Sequence, residues 1–265
     1  MRLATLQMRA TCGDVATNLA RIERAAAEAA GGGATMLITP ELALTGYGAG
    51  ERISALACPA DGPAIRRLAA ISVANGVAIV AGFAERDGEA VYNSAAYVDG
   101  EHAPVVYRKS HLYGDYERGL FKAGKSDTGI FVHHGVRCGM LICYDVEFPE
   151  NIRRLALAGA DAVLVPTALP AGPSGSFIAR HMIRTRAFEN QVFVAYVDHC
   201  GADELFSYAG LSEIAAPDGG VLAAANDTDE TLLITEVDPS AYDRSRRENT
   251  YLRDLGQSAG SGRAS

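Results

Sequence analysis

The chain predicts a single α/β domain with mixed strands, and three observations carry this. Short apolar segments alternate with Ala- and Arg-rich stretches of helical spacing along nearly the whole length. Asp-Gly and Gly-rich turns punctuate them. No linker or internal repeat divides the body, and 265 residues with 48% apolar content suffice for one large core.

The elements follow in order. Arg2 to Met8 reads as a strand, and Asp14 to Ala30 as a helix with Ile22 and alanines on one face, ended by Gly31-Gly32-Gly33. Thr35 to Thr39 is a strand, Pro63 to Ala74 a helix and Val77 to Phe83 a strand. Val91 to Val98 alternates as a half-buried strand between the turns Asp87-Gly88 and Asp99-Gly100. Thr128 to Val132 and Val136 to Ile142 bracket the turn His133-His134-Gly135. Helix, strand, helix and strand then run over Pro149 to Ala158, Ala162 to Val165, Ser176 to Glu189 and Val192 to Val197. Gly210 to Ala215, Val221 to Ala224 and Thr231 to Val237 close the series, the last broken by Asp238-Pro239. The domain spans residues 1–255, and the small polar residues 256–265 read as a disordered tail.

A formal charge of −8 with no basic run argues against nucleic-acid binding. No apolar stretch reaches membrane-spanning length, and Met1-Arg2 runs straight into a strand without a signal peptide. Five cysteines without a CxxC pair read as reduced thiols, so a soluble cytoplasmic protein is expected. His133-His134 and His199-Cys200 lack metal-ligand spacing, and no GxGxxG follows a strand, so neither metal nor cofactor is expected.

The chemistry concentrates in Cys138-Gly139-Met140-Leu141-Ile142-Cys143-Tyr144-Asp145-Val146-Glu147-Phe148-Pro149. Gly139 to Ile142 is a buried strand and Pro149 opens a helix, which puts Cys143 on a tight turn at a strand's carboxyl end. The helix after it offers a positive dipole end, which favours thiolate. A buried core cysteine is the competing reading. A nucleophilic thiol needs a base and a group to hold an oxyanion. Two more apolar strands end on ionisable groups: Met36-Leu37-Ile38-Thr39-Pro40 delivers Glu41, and Pro104-Val105-Val106-Tyr107-Arg108 delivers Lys109. Taken singly, both read as solvated loop charges.

Together these segments resemble the nitrilase superfamily of carbon–nitrogen hydrolases, with its Glu-Lys-Cys triad. The likeness runs from Leu3-Ala4-Thr5-Leu6-Gln7-Met8 to about Tyr251 and includes Ala187-Phe188-Glu189-Asn190. It implies a four-layer αββα sandwich and a homodimer or higher even homo-oligomer. It also implies that Glu41 is the general base, Cys143 the nucleophile and Lys109 the oxyanion cation, with the backbone N–H of Tyr144 as second donor. Glu117, eight residues past Lys109, matches the second glutamate of the aliphatic amidases. His111 is expected to make a structural hydrogen bond. Tyr47, Tyr113 and Tyr116 are either pocket wall or ordinary half-buried aromatics.

The residues after the cysteine narrow the substrate. True nitrilases carry Cys-Trp-Glu, which is missing here. The arginines of D-carbamoylases and omega-amidases are replaced by Val146 and Glu147, which cannot clamp a carboxylate. Cys-Tyr-Asp-Val-Glu-Phe-Pro-Glu instead resembles small bacterial amidases, which implies a neutral or amine-bearing linear amide and water as substrates, with Glu147 able to face an ammonium. The alternatives are an N-carbamoyl amine hydrolase, a nitrilase, and a non-catalytic binding protein that kept the fold.

Overall fold

Period-two alternation decides the layering. On the first three strands Leu3, Met36, Ile38 and Val80 turn inward to a core shared with the second sheet, while Ala4, Leu37, Ile79 and Ala81 turn outward to helices. The structure, a computed structural model, describes residues 1–126 and 128–260. The first half runs β1 (Arg2–Gln7), α1 (Val15–Gly31), β2 (Met36–Ile38), α2 (Arg52–Leu56), α3 (Pro63–Asn75), β3 (Ala78–Asp87), β4 (Ala90–Val98), β5 (Val105–Arg108) and α4 (Gly114–Leu120). The second runs β6 (Phe131–His133), β7 (Val136–Met140), α5 (Pro149–Leu157), β8 (Ala162–Pro166), α6 (Pro173–Phe177), α7 (Ile183–Asn190), β9 (Phe193–Val197), β10 (Glu213–Ala215), β11 (Val221–Ala224) and β12 (Thr231–Glu236). Two helices, α8 (Asp243–Glu248) and α9 (Tyr251–Gly260), follow.

The strands form two six-stranded sheets, β12-β1-β2-β3-β4-β5 and β11-β10-β9-β8-β7-β6. In each, three central strands are parallel, β1-β2-β3 and β7-β8-β9, and antiparallel strands flank them. The halves β1–β5 and β7–β11 therefore share one topology without a visible sequence repeat, because topology needs matching apolar pattern rather than matching residues. Ile22, Ala25, Ala26 and Ala29 of α1 pack on the first sheet with Ile65, Leu68 and Ile71 of α3. Ile152 and Leu155 of α5, with Ile183 and Ala187 of α7, join the core of the second. The result is the αββα sandwich that the resemblance implies.

Asp14 starts α1 as its N-cap, accepting from the N–H of Thr17 at 2.9 Å. The helix expected over Ser176 to Glu189 is α6 and α7, joined by a wide π-helical turn at Ile178–Met182. The short helices α2, α4 and α8 carry too little apolar periodicity to be read from sequence. Helix α9 takes in residues 256–260 of the segment expected as a tail, and residues 261–265 lie outside the described ones. Among the described residues no helix is long and apolar enough to cross a membrane.

Candidate active site

Glu41 stands on the turn that follows β2, where Gly46 N–H closes on Leu42 O at 2.8 Å and Leu42 adopts a left-handed φ of 50°. The turn lies directly on β3, against Gly82. A Cβ at Gly82 would come within 2.3 Å of Leu42 N and 2.5 Å of Pro40 O, so only glycine lets the two backbones approach. The second sheet grips the same residue from the other side. Glu41 N–H donates to Thr167 O at 3.2 Å, and the Nε2 of His199 contacts Glu41 O at 2.7 Å. Gly82→Ala is therefore expected to displace Glu41 and cut kcat by at least about tenfold, since small misplacements of a reacting group are costly. Steady-state kinetics together with a thermal melt checks this.

Lys109 follows β5, and Glu117 sits in α4. Glu41, Lys109 and Glu117 are buried, at 0%, 0% and 1% exposure, and form one chain of ion pairs. The Lys109 Nζ lies 2.6 Å from Glu41 Oε1 and 2.6 Å from Glu117 Oε1. Asn93 donates to Glu41 Oε1 at 2.6 Å, the Tyr47 hydroxyl to Glu117 Oε1 at 2.9 Å, and Tyr113 N–H to Glu117 Oε2 at 2.8 Å. Glu41 Oε2, equally buried, has no hydrogen-bond partner among the described residues.

Cys143 follows β7 on a tight turn with φ 45°, a strained conformation for a residue with a side chain. Asp145 fixes this turn: it accepts from Ile142 N–H at 3.3 Å, Ser110 Oγ at 2.8 Å, His111 N–H at 2.8 Å and the Tyr107 hydroxyl at 2.9 Å. One buried carboxylate thus ties the cysteine turn to the two residues after Lys109. His111 belongs to this brace, with Nδ1 3.0 Å from Asp145 and its ring stacked on Phe148 at 4.0 Å.

Electrostatics refine the sequence reading. Burial and the charge of Glu41 push the Cys143 thiol well above its ordinary value, and Lys109 only partly opposes this. The helix end that favours thiolate is distant, since α5 begins six residues on, and desolvation is the largest influence on the thiol. Burial, with Glu117 adding to it, pushes Glu41 up to about 7 against the pull of Lys109 and Asn93. Burial pulls Lys109 down, but the carboxylates of Glu41 and Glu117 outweigh it and hold the ammonium well above its usual range.

Cys143 opens into a cleft of about 290 Å³, walled by Tyr113, Tyr144, Glu147, Leu169, Pro170 and Ile178 among others. Burial raises the Glu147 carboxyl; the residue lines the cleft, and its carbonyl accepts from Arg186 Nη2 at 2.7 Å. Tyr113, 47% exposed, stands edge-on to Tyr144 with ring centres 5.2 Å apart. Tyr47 does not line this cleft; it is buried behind it with its hydroxyl on Glu117. Tyr116 likewise gives its hydroxyl to Tyr47 O at 2.6 Å. His133 contacts Tyr97 and Thr35 across the sheets at 3.0 and 3.1 Å.

Asn93, His199, Gly82 and the cleft wall from Leu169 to Ile178 were not found from the sequence, and Asp145, expected beside the substrate, instead braces the cysteine turn. Of these only Gly82, a glycine inside an apolar strand, left a signal.

A family profile described as carbon–nitrogen hydrolase matches residues 2–247. A Pseudomonas protegens protein named hydrolase in pqqF 5′ region is 46% identical over 260 residues, covering 96% of this chain and 88% of its own. An (R)-stereoselective amidase from a Pseudomonas species is 37% identical over 257 residues, covering 96% and 91%. A mutant of the Nesterenkonia AN1 amidase from the nitrilase superfamily superimposes with a TM-score of 0.85 at 33% identity, covering 96% of this chain and 93% of its own. The same amidase in complex with butyramide gives a TM-score of 0.82 at 32% identity, covering 95% of each.

Proposed function

On the premise that the chain belongs to the carbon–nitrogen hydrolase family and hydrolyses amides, we propose that it cleaves small linear carboxamides to a carboxylic acid and ammonia through a thioester on Cys143. The observation that carries this is the buried Glu41–Lys109–Glu117 chain, whose charges act on the Cys143 thiol, with one Glu41 oxygen left without a partner among the described residues.

The neutral thiol gives its proton to Glu41, whose Oε2 is free to take it, as sulfur attacks the amide carbon. The oxyanion that forms is held by Lys109 and by the backbone N–H of Tyr144. The carbon–nitrogen bond breaks, and ammonia leaves with the proton from Glu41. Water then attacks the thioester, Glu41 takes its proton, and the acid departs as the thiol is restored. Glu117 acts through Lys109: its one oxygen holds the ammonium and its other is anchored on Tyr113 N–H.

The acid–base role gives a pH signature. Glu41 must be ionised to act, and burial raises it to about 7. The expected kcat/KM therefore falls as pH drops through about 7 and levels above it, an apparent value that belongs to the coupled group. A pH–rate profile on a neutral amide checks this, and Glu41→Gln should remove the limb with most of the activity.

Glu147 in the cleft wall supports amides without a carboxylate. A substrate carboxylate there would lose hydration and meet like charge. The test is ammonia release at equal concentrations of propionamide, β-alaninamide, a dicarboxylic half-amide, an N-carbamoyl amine and a nitrile. The two carboxylate-free amides should lead in kcat/KM. Carbon dioxide released with ammonia from the N-carbamoyl amine as best substrate would replace this reading, as would preference for the half-amide or the nitrile.

A further inference from the structure

A second cavity of about 100 Å³ adjoins the cleft and shares Tyr113 and Pro170 with it. Its remaining walls include Tyr47, Tyr116, Phe206, Tyr208 and Ala168. Ala168 directly precedes Leu169, which lines the cleft together with Cys143, so the cavity continues from the wall of the cleft that holds the nucleophile. The rings form one packed group: Tyr47 lies 5.2 Å from Phe206 and 5.4 Å from Tyr116, and Tyr116 lies 4.9 Å from Phe206, centre to centre.

The hydroxyls of this group are already committed. Tyr47 donates to Glu117, Tyr116 to the carbonyl of Tyr47, and Tyr208 to Asp203. What remains to meet a guest is mainly ring carbon, the Pro170 ring and the Ala168 methyl. The one acid at the rim, Asp115, is fully exposed and lies 3.6 Å from Arg118. A charged guest would lose hydration here with little to replace it. An apolar one gains burial, and an aromatic one gains ring contacts besides.

We propose that this aromatic chamber is an acyl-chain subsite, which takes the apolar, best aromatic, end of the substrate while the carboxamide lies at Cys143. The inference rests on the amidase reading and adds the substrate class: linear carboxamides with a hydrophobic terminus. The experiment compares kcat/KM by ammonia release for propionamide, pentanamide, 3-phenylpropionamide and β-alaninamide.

The wild-type protein should prefer 3-phenylpropionamide over propionamide by at least about tenfold, the usual size of discrimination by an apolar pocket. Pentanamide should fall between them and β-alaninamide below 3-phenylpropionamide. Phe206→Ala should lower the ratio of 3-phenylpropionamide to propionamide by about tenfold, with a thermal melt to confirm folding; the wild-type series needs no variant. Equal use of propionamide and 3-phenylpropionamide, a preference for β-alaninamide, or a ratio unmoved in folded Phe206→Ala overturns the subsite and leaves the amidase reading standing. No ammonia from any of the four overturns both.

Discussion

Cys143→Ala is expected to lower kcat by about 10⁴–10⁶ while the protein stays folded, the range seen when the nucleophile of a comparable catalytic group is removed. The side chain is 6% exposed and sits at the cleft floor, so its loss removes one sulfur and leaves little strain behind. Alanine also relieves none of the backbone demand at φ 45°, so the turn must still be held by Asp145. The other cysteines give the control. Cys12, Cys58, Cys138 and Cys200 lie outside the cleft wall, and their replacement by serine or alanine should cost little activity. Activity assays with circular dichroism on the five single variants check this. Retained turnover in Cys143→Ala, or its loss in any one of the others with the fold intact, would contradict the assignment.

Lys109→Met is expected to lower kcat/KM by at least about 10²–10³, the cost of one preorganised oxyanion donor, and also to destabilise the fold. The ammonium is completely buried between two carboxylates at 2.6 Å each, and methionine would leave those carboxylates facing one another without a cation. Breaking a buried pair by removing one partner costs about 3–5 kcal/mol. Glu41 and Glu117 would then share a proton, because two close carboxylates resist joint ionisation. Any residual activity should show its acid limb moved to higher pH. Chemical denaturation and a pH–rate profile separate the two effects. A stable variant with an unmoved limb would mean that Lys109 is not the cation holding Glu41 in place.

The fold was largely legible because its strands are short, apolar and punctuated by turns. The alternation of Leu3 with Ala4, and of Met36 and Ile38 with Leu37, already separates inward from outward faces. The assembly of two sheets came from the family likeness, since no local pattern tells which strands share a sheet. At the site, Glu41, Lys109 and Cys143 were visible as ionisable groups at strand ends, but nothing in their spacing brings together residues as far apart as 41 and 143. Asn93 and His199 stayed hidden for the same reason: each reaches Glu41 from a distant strand and reads in sequence as an ordinary polar residue. The dipole's pull toward thiolate follows from sequence, whereas the burial that opposes it at Cys143 does not.

Intact-mass spectrometry of acid-quenched protein during turnover of propionamide checks for the covalent acyl-enzyme on Cys143. The expected result is a species heavier than the free protein by one propionyl group, lost on treatment with hydroxylamine, located on the peptide that contains Cys143, and missing in Cys143→Ala. An acyl adduct on a different residue, or an acyl species that still forms in Cys143→Ala, would contradict the claim.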